Sequence, residues 1–424
     1  MPSARSRPPG PSSWRRTALF LALAAIVHVG GFYLWQLAVQ HVFPWTGLGP
    51  LTSMALFPIA AAPLYTRLAL GVRPTLLLSL LLALLVHATP PILPMIGLQT
   101  IAASLAGVLS LRSATGRGAV VLAGLWAGLA SAAVLVLTND FNLPIQSVIA
   151  GGVGAVLGGV LSGALALAFS PFIERLFGHV TPLTLVEALS YDHPLLRQLA
   201  TKAPGTFLHS TNVAVICDAG ARAIGADGLT TRVGALYHDV GKTRAPQDFI
   251  ENQTATGTYR DLSVDDIREV LVDHVTEGVR LVLSHGLGER IADFVREHHG
   301  TSEMRSLIAR AERSGTPASS PFRYPGPRPR SRETGLLMLA DRVEATARAR
   351  RPETPDECLA LVREIVDQTV AEQQLVHSGL TDDELDLVEK VYAEVLHAVH
   401  HHRVGYREPA DTPARLRAVP GRQA

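Results

Sequence analysis

Seven residues in the C-terminal half of the chain have the types and the order that metal chemistry needs. They are His209, the adjacent pair His238-Asp239, His274, the adjacent pair His298-His299, and Asp341. A carboxylate can bridge two divalent ions while imidazoles fill the remaining positions on each. Two ions about 3.5–4 Å apart clamp the attacking and leaving oxygens of a phosphoryl transfer. Imidazole and carboxylate without thiolate suit iron, manganese or a similar ion. Two divalent ions, manganese or iron, are therefore the expected cofactors. Gly241 is read as permitting a tight turn after the pair, and Lys242 as a cation for a phosphate. Each signal alone is weak. A His-Asp dipeptide arises by chance, an isolated histidine is usually a surface or satisfied core residue, and His400-His401-His402 shows how histidine-rich this chain is. The ordered set on successive helices is specific.

The elements that must position these residues read as helices, with few strand signals. Leu183 to Leu199 is a segment leading to the catalytic region, and Thr206 to Ile224 has apolar residues near helical spacing. Leu229 to Tyr237 runs into His238-Asp239-Val240-Gly241-Lys242. Ser263-x-x-Asp266 has the form of a capping box for a helix running past His274. A helix over Gly288 to Glu297 ends at His298-His299-Gly300. Arg313 to Arg332 is rich in Pro, Ser and Gly and reads as a loop. Glu333 to Arg350 returns to helix and carries Asp341. Asp382 to His402 is a last helix, and residues 407–424 read as a disordered tail.

Composition divides the chain. Of its 424 residues 47% are hydrophobic and 18% charged, against about 25% charged in an average soluble protein. Between Thr17 and Ser170 apolar runs dominate and Asp140 is the acidic exception, whereas Arg, Asp, Glu and His abound after Glu174. The net charge of +1 implies no general affinity for nucleic acid. The two cysteines, Cys217 and Cys358, argue against a disulfide scaffold, exclude zinc sites built from Cys pairs, and fit a reducing compartment.

A spanning helix needs about 20 mostly apolar residues. Six candidates stand at 17–40, 50–70, 74–89, 91–111, 118–138 and 145–170, after a tail over 1–16. The third and fourth could instead be a re-entrant pair. Arg5, Arg7, Arg15 and Arg16 precede the first run, Arg67 and Arg73 follow the second, Arg112 and Arg117 follow the fourth, and Glu174 and Arg175 follow the sixth; the alternate loops carry no Lys or Arg. This positive-inside alternation puts both termini in the cytoplasm of a multi-pass cell-membrane protein. Gly154/Gly158 and Gly159/Gly163 have GxxxG spacing. Internal bundle packing is the preferred reading over a homodimer seam. His28 and His87 are read as interfacial.

The stretches "HPLLRQLATKAPGTFLHS", "RVGALYHDVGK", "FIENQ", "REHHGT", "FRYPGPRPRS" and "LADRVEA" together resemble the HD superfamily of metallophosphohydrolases, and within it the seven-transmembrane HD family of PgpH-type cyclic-di-AMP phosphodiesterases. The resemblance covers about Leu183 to Tyr406. Together with the apolar runs it implies an all-α chain: a polytopic helical membrane domain over 17–175, read from those runs, then an α-helical HD domain over 182–406, read from the resemblance. It implies a phosphodiesterase converting cyclic di-AMP to pApA, in which a dinuclear site activates a hydroxide for in-line attack. By position His209, His238, Asp239, His274, His298, His299 and Asp341 would be metal ligands, with Asp239 bridging; how His298 and His299 divide between the ions stays open. Lys242 would lie near substrate phosphate, and Arg244, Arg323 and Arg328 are weaker phosphate candidates. Tyr324, in Phe322-Arg323-Tyr324-Pro325-Gly326-Pro327, is a candidate to stack on a base at the mouth of the site. Family members typically carry a long extracytoplasmic sensor domain and a seventh span, neither of which is evident here, and the stretch between Asn252 and Asp266 is divergent.

Rival readings are an HD hydrolase for another nucleotide, cyclic di-GMP or ppGpp, and a non-catalytic nucleotide-binding membrane receptor. A cyclic-di-GMP enzyme of the HD-GYP type would carry GYP after its HH pair. Here Gly300-Thr301-Ser302-Glu303 follows. A receptor would be marked by a missing ligand, and a transporter by midplane charges.

Overall fold

The computed structural model describes residues 11–41, 49–88, 95–111, 116–138, 143–253, 263–314 and 322–400. Among them the chain is helical, and its one extended feature is an isolated antiparallel bridge between Glu303 and Arg323. Arg5, Arg7 and Arg112, residues 401–402 of the last expected helix, and the expected tail over 407–424 lie outside the described residues.

The apolar half holds helices α1 (Pro11–His41), α2 (Pro50–Ala55), α3 (Ala61–Leu70), α4 (Val72–His87), α5 (Ile96–Ser110), α6 (Arg117–Leu137) and α7 (Ile145–Phe177). Among the described residues three stretches are long and apolar enough to cross a membrane, Arg15–His41, Arg117–Leu137 and Ile145–Phe177; α4 and α5 are apolar but shorter. At 1.5 Å per residue, α4 and α5 fall short of a hydrocarbon core about 30 Å thick. The run over 50–70, expected as one span, is broken between α2 and α3 around Pro58, and the freed Ala60 N–H donates to Ser162 Oγ at 3.2 Å. Proline removes a backbone donor and clashes with the preceding turn, so composition suffices for a span while continuity does not.

Small residues let this bundle close. A Cβ on Gly124 would stand 2.4 Å from Gly159 O, and one on Gly158 would stand 2.6 Å from Ala55 O. The two GxxxG pairs thus face different neighbours inside the bundle, Gly154/Gly158 toward α2 and Gly159/Gly163 toward α6. His28, expected at an interface, instead lies midway along α1, buried with its ring edge-on to Phe57. His87 is exposed at the end of α4.

α7 ends on Gly178 in the left-handed conformation, φ 69°. Thr181 then caps α8 (Pro182–Ala188), and Glu174 of α7 accepts hydrogen bonds from Thr181 Oγ1 at 2.8 Å and from Thr184 Oγ1. The polar half continues with α9 (Pro194–Lys202), α10 (Pro204–Ala223), α11 (Gly228–Tyr237), three short 3-10 turns between Val240 and Asn252, α12 (Val264–Ser284), α13 (Gly288–Glu297), α14 (Arg305–Ser314), α15 (Arg332–Arg350), α16 (Pro355–Ala371) and α17 (Asp382–His400). The expected capping box opens α12, with Ser263 and Asp266 satisfying each other's backbone N–H groups. The segment expected over Leu183 to Leu199 is two helices, α8 and α9, and α14 runs into the start of the expected loop.

One apolar core joins α8, α9, α10, α11, α13, α15, α16 and α17 around Leu195, Tyr237, Phe294, Leu337 and Tyr392. Glycine sets the closest approaches: a Cβ on Gly234 would meet the Phe294 ring at 2.2 Å, and one on Gly220 would meet Tyr392 at 2.4 Å. The first contact sets α11 against α13 and the second sets α10 against α17, whose Tyr392 hydroxyl donates to Leu336 O of α15 at 2.9 Å; α10, α11, α13 and α15 carry or end on most of the expected ligands.

Candidate metal centre

Asp239 stands at the middle of the seven residues. It follows His238 at the end of α11, where the chain leaves the helix for a 3-10 turn, and it is 2% exposed. Its two carboxylate oxygens face different neighbours. Oδ1 lies 3.5 Å from His274 Nε2 and 3.6 Å from His298 Nε2. Oδ2 lies 2.7 Å from Lys242 Nζ, 3.2 Å from His238 Nε2 and 3.9 Å from His209 Nε2. Asp341, from α15, reaches the same side, with Oδ1 3.0 Å from His209 Nε2 and 3.8 Å from His238 Nε2. Three compact groups result: His274-His298-His299, His209-His238-Asp239, and His238-His298-Asp341.

The histidines are oriented from behind. His238 Nδ1 donates to Ala235 O at 2.7 Å and His298 Nδ1 donates to Val295 O at 2.8 Å, which turns each Nε2 lone pair into the site, that of His298 toward His274 Nε2 at 3.4 Å. His209 is held by a carboxylate on its far side, with Nδ1 bonded to Glu344 and Nε2 to Asp341. Glu344 was not among the expected site residues. Its signal was the Asp341-x-x-Glu344 spacing, which puts both carboxylates on one face of α15. His299 packs its ring on His298 at 3.9 Å and stacks on Tyr324 at 4.0 Å.

Buried ionisable groups this dense perturb one another. Burial works against charge on Asp239, but Lys242, His238 and His298 hold its carboxyl well below the usual range. Burial likewise opposes charge on Asp341, and the His209 hydrogen bond with nearby imidazoles keeps it low. His274 is pushed down to about 3, chiefly by burial. His299 moves in the same direction for the same leading reason, with His298 and His274 adding to it. His209 goes the other way: burial is outweighed by Asp341 and Glu344, and its value rises to about 9.

These residues fit divalent ions. His238 Nε2 and Asp239 Oδ1 are buried side-chain atoms in the site without a hydrogen-bond partner among the described residues. A buried polar atom is costly to leave unpaired, and a site of anionic and neutral donors aimed at one point is resolved by a cation. His209, His238, Asp341 and Asp239 Oδ2 would hold one ion; His274, His298, His299 and Asp239 Oδ1 would hold the other.

The remaining expected residues are placed less centrally. Lys242 Nζ is in the site, between Asp239 and Glu251 Oε1 at 2.8 Å. Arg244 is exposed on the 3-10 turn beside Glu277. Arg323 is exposed and paired with Glu303. Arg328 donates to Thr301 Oγ1 at 3.1 Å, next to Gly300 and the histidine pair. Gly241, expected to allow a tight turn, has another role: its φ is not positive, and a Cβ there would stand 1.8 Å from His274 O. It lets the 3-10 turn touch the backbone of α12.

Two expected motifs prove to be one unit. Asn252 Oδ1 accepts from Thr206 N at 3.1 Å, Thr206 Oγ1 donates to Glu251 Oε1 at 3.0 Å, and a Cβ on Gly205 would stand 1.8 Å from Glu251 O. The Ala203-Pro204-Gly205-Thr206 start of α10 and the Glu251-Asn252 turn thus brace each other beside Lys242.

Two family models match this chain: "7TM receptor with intracellular HD hydrolase" over residues 10–181 and "HD domain" over residues 206–346. The chain is similar to the cyclic-di-AMP phosphodiesterase PgpH of Bacillus subtilis strain 168, 33% identical over 83% of this chain and 51% of that protein. It is also similar to PgpH of Listeria monocytogenes, 30% identical over 84% of this chain and 51% of that protein. The chain therefore spans about half the length of the curated relatives it matches. The crystal structure of the L. monocytogenes PgpH HD domain in complex with cyclic di-AMP is 29% identical, covers 50% of this chain and 99% of that one, and superposes with a TM-score of 0.47. The apolar half of the chain thus matches the model of 7TM receptors with an intracellular HD hydrolase, and the polar half, with its His and Asp ligand set, matches that of the HD domain.

Proposed function

We propose that this protein is a membrane-bound, metal-dependent phosphodiesterase that hydrolyses cyclic di-AMP to pApA. The observation that carries the proposal is the two-sided arrangement around Asp239, whose oxygens face two separate groups of imidazole and carboxylate donors. The name shared by the two PgpH relatives supports the substrate. When bound, a pair of divalent ions, manganese or iron, supplies an activated water and neutralises charge on the phosphoryl oxygens.

The chain's own residues do the rest. Asp239 would serve as a ligand to both ions, since its two oxygens face different donor groups. Ala235 and Val295 carbonyls lock the His238 and His298 tautomers, so that each Nε2 stays available as a ligand. Lys242 offers an ammonium for a phosphate oxygen next to the ions. The Tyr324 ring, over His299 at the rim, offers a face for an adenine base.

Arginines flanking alternate apolar runs support a cytoplasmic HD unit over 182–406 beyond a cell-membrane bundle over 17–175. The test is purified full-length protein loaded with Mn(II) or Fe(II) and offered cyclic di-AMP, cyclic di-GMP and ppGpp. The expected result is about two ions per chain, pApA as product, and much slower turnover of the other nucleotides. A preference of about tenfold or more for cyclic di-GMP or ppGpp would overturn the substrate assignment, and tight binding of cyclic di-AMP without turnover would make the protein a receptor.

A further inference from the structure

Asp239 is not symmetrically available. Its Oδ1 has no hydrogen-bond partner among the described residues and faces His274 and His298, whereas its Oδ2 is already engaged by the Lys242 ammonium at 2.7 Å. That ammonium is itself divided, with Glu251 Oε1 at 2.8 Å on its other side and the Phe249 ring centroid at 4.9 Å. A cation therefore occupies the carboxylate oxygen that the His209-His238-Asp341 position would need.

We propose that Lys242 and Glu251 form an ammonium relay that makes the two ion positions unequal, an inference that rests on the dinuclear reading above. The ion at His274, His298, His299 and Asp239 Oδ1 meets no cation there, only the 3.4 Å contact between His274 Nε2 and His298 Nε2. The ion at His209, His238, Asp341 and Asp239 Oδ2 must first displace the Lys242 ammonium. Glu251 then keeps that ammonium within reach of the site instead of losing it to solvent.

The construction around Glu251 is what makes it a receiver. Its Oε1 also accepts from Thr206 Oγ1 at 3.0 Å, and Asn252 bonds Thr206 through both its oxygen and its nitrogen, at 3.1 and 2.9 Å. The absent Cβ of Gly205 lets the Glu251 backbone sit against the first turn of α10. The carboxylate is thereby fixed to the helix that carries His209. A carboxylate anchored this firmly needs no reorganisation to take up the displaced charge, which lowers the cost of moving it.

Glu251 is thus a positioning residue acting through Lys242, and the relay predicts opposite signs for its two members. Removing the ammonium frees Asp239 Oδ2, so Lys242→Met, or Lys242→Gln as a second variant, strengthens binding at the contested position. Removing the Glu251 charge leaves Lys242 with Asp239 as its remaining anionic partner, so Glu251→Gln weakens binding there. A merely damaged site would weaken under either change.

The experiment is titration of metal-free full-length protein in detergent with Mn(II), following free Mn(II) by EPR and heat by calorimetry, so that both affinities are read without an activity assay. Two unequal ions are expected in the unmodified protein. Lys242→Met should tighten the weaker one by about tenfold, the factor that one charge-assisted hydrogen bond is worth, and leave the stronger unchanged. Glu251→Gln should loosen the weaker ion, and should have little effect in the Lys242→Met background. Two ions whose affinities are unmoved or weakened by both Lys242 substitutions overturn the relay alone, as does a Glu251→Gln effect that persists without Lys242. A single ion in the unmodified protein removes the dinuclear reading and the relay with it.

Discussion

Tyr237 donates its hydroxyl to the backbone carbonyl of Ala188 at 2.8 Å, tying the residue that precedes the His238-Asp239 pair to the last turn of α8, the first helix after the membrane bundle. Tyr237 is fully buried, so the carbonyl has no water to turn to if the hydroxyl is lost. Tyr237→Phe should lower the stability of the polar half by about 1–3 kcal/mol, the cost of an unsatisfied buried acceptor. Thermal unfolding of the solubilised protein checks it. An unchanged Tm would mean that Ala188 finds another donor.

Gly241 controls how closely the turn after Asp239 approaches α12. An alanine methyl there would overlap the His274 carbonyl oxygen, 1.8 Å away, and Gly278 N, 2.7 Å away, and both are backbone atoms that cannot rotate aside. Gly241→Ala should cost about 1–3 kcal/mol or more through overpacking, and should spread Asp239 from His274. The same variant should then bind Mn(II) less tightly on the His274 side. Normal stability with normal metal content would show that the two segments separate freely.

The ligand set was legible because metal chemistry restricts residue type, and because four of its members form two pairs of sequence neighbours, His238-Asp239 and His298-His299. What supports those ligands was not. Glu344 and Glu251 are carboxylates among many on polar helices and turns, and only the crossing of α10 with α15 and with the Glu251-Asn252 turn gives them partners. The packing role of Gly241 is hidden for the same reason: a turn is a local property, whereas contact with His274 O is set by tertiary packing. In the apolar half, hydropathy located the bundle but averaged over the break at Pro58, since it measures composition and not helix continuity. His28 illustrates the converse error, because its burial depends on Phe57 from the broken segment.

Glu344 acts on the metal centre through His209. Its carboxylate bonds His209 Nδ1 from behind, fixing the ring so that Nε2 points toward Asp239 and Asp341. Removing such a supporting group typically weakens metal binding about 10–100-fold. Glu344→Gln should lower the affinity of the ion on the His209 side and leave the His274 side unchanged, as read by Mn(II) titration. Equal weakening at both positions would point instead to a general loss of structure.

Proton release offers a separate reading of the same residue. In the metal-free protein burial alone would lower the His209 value, but Asp341 and Glu344 outweigh it and raise it from 6.5 to about 9. A raised value means that charged His209 stabilises the metal-free fold fully below pH about 6.5 and ceases to do so as pH rises through about 9. At pH 7 the ring is therefore protonated, and it can bind an ion through Nε2 only by losing that proton. His274, pushed down to about 3 mainly by burial, is already neutral and has none to give. Affinity on the His209 side should rise about tenfold per pH unit toward pH 9 and then level off, while affinity on the His274 side stays flatter. Calorimetry at pH 7 in two buffers of different ionisation enthalpy counts the protons. His209→Gln should release about one fewer than the unmodified protein; an equal count in the two proteins would show that His209 is neutral before the ion arrives.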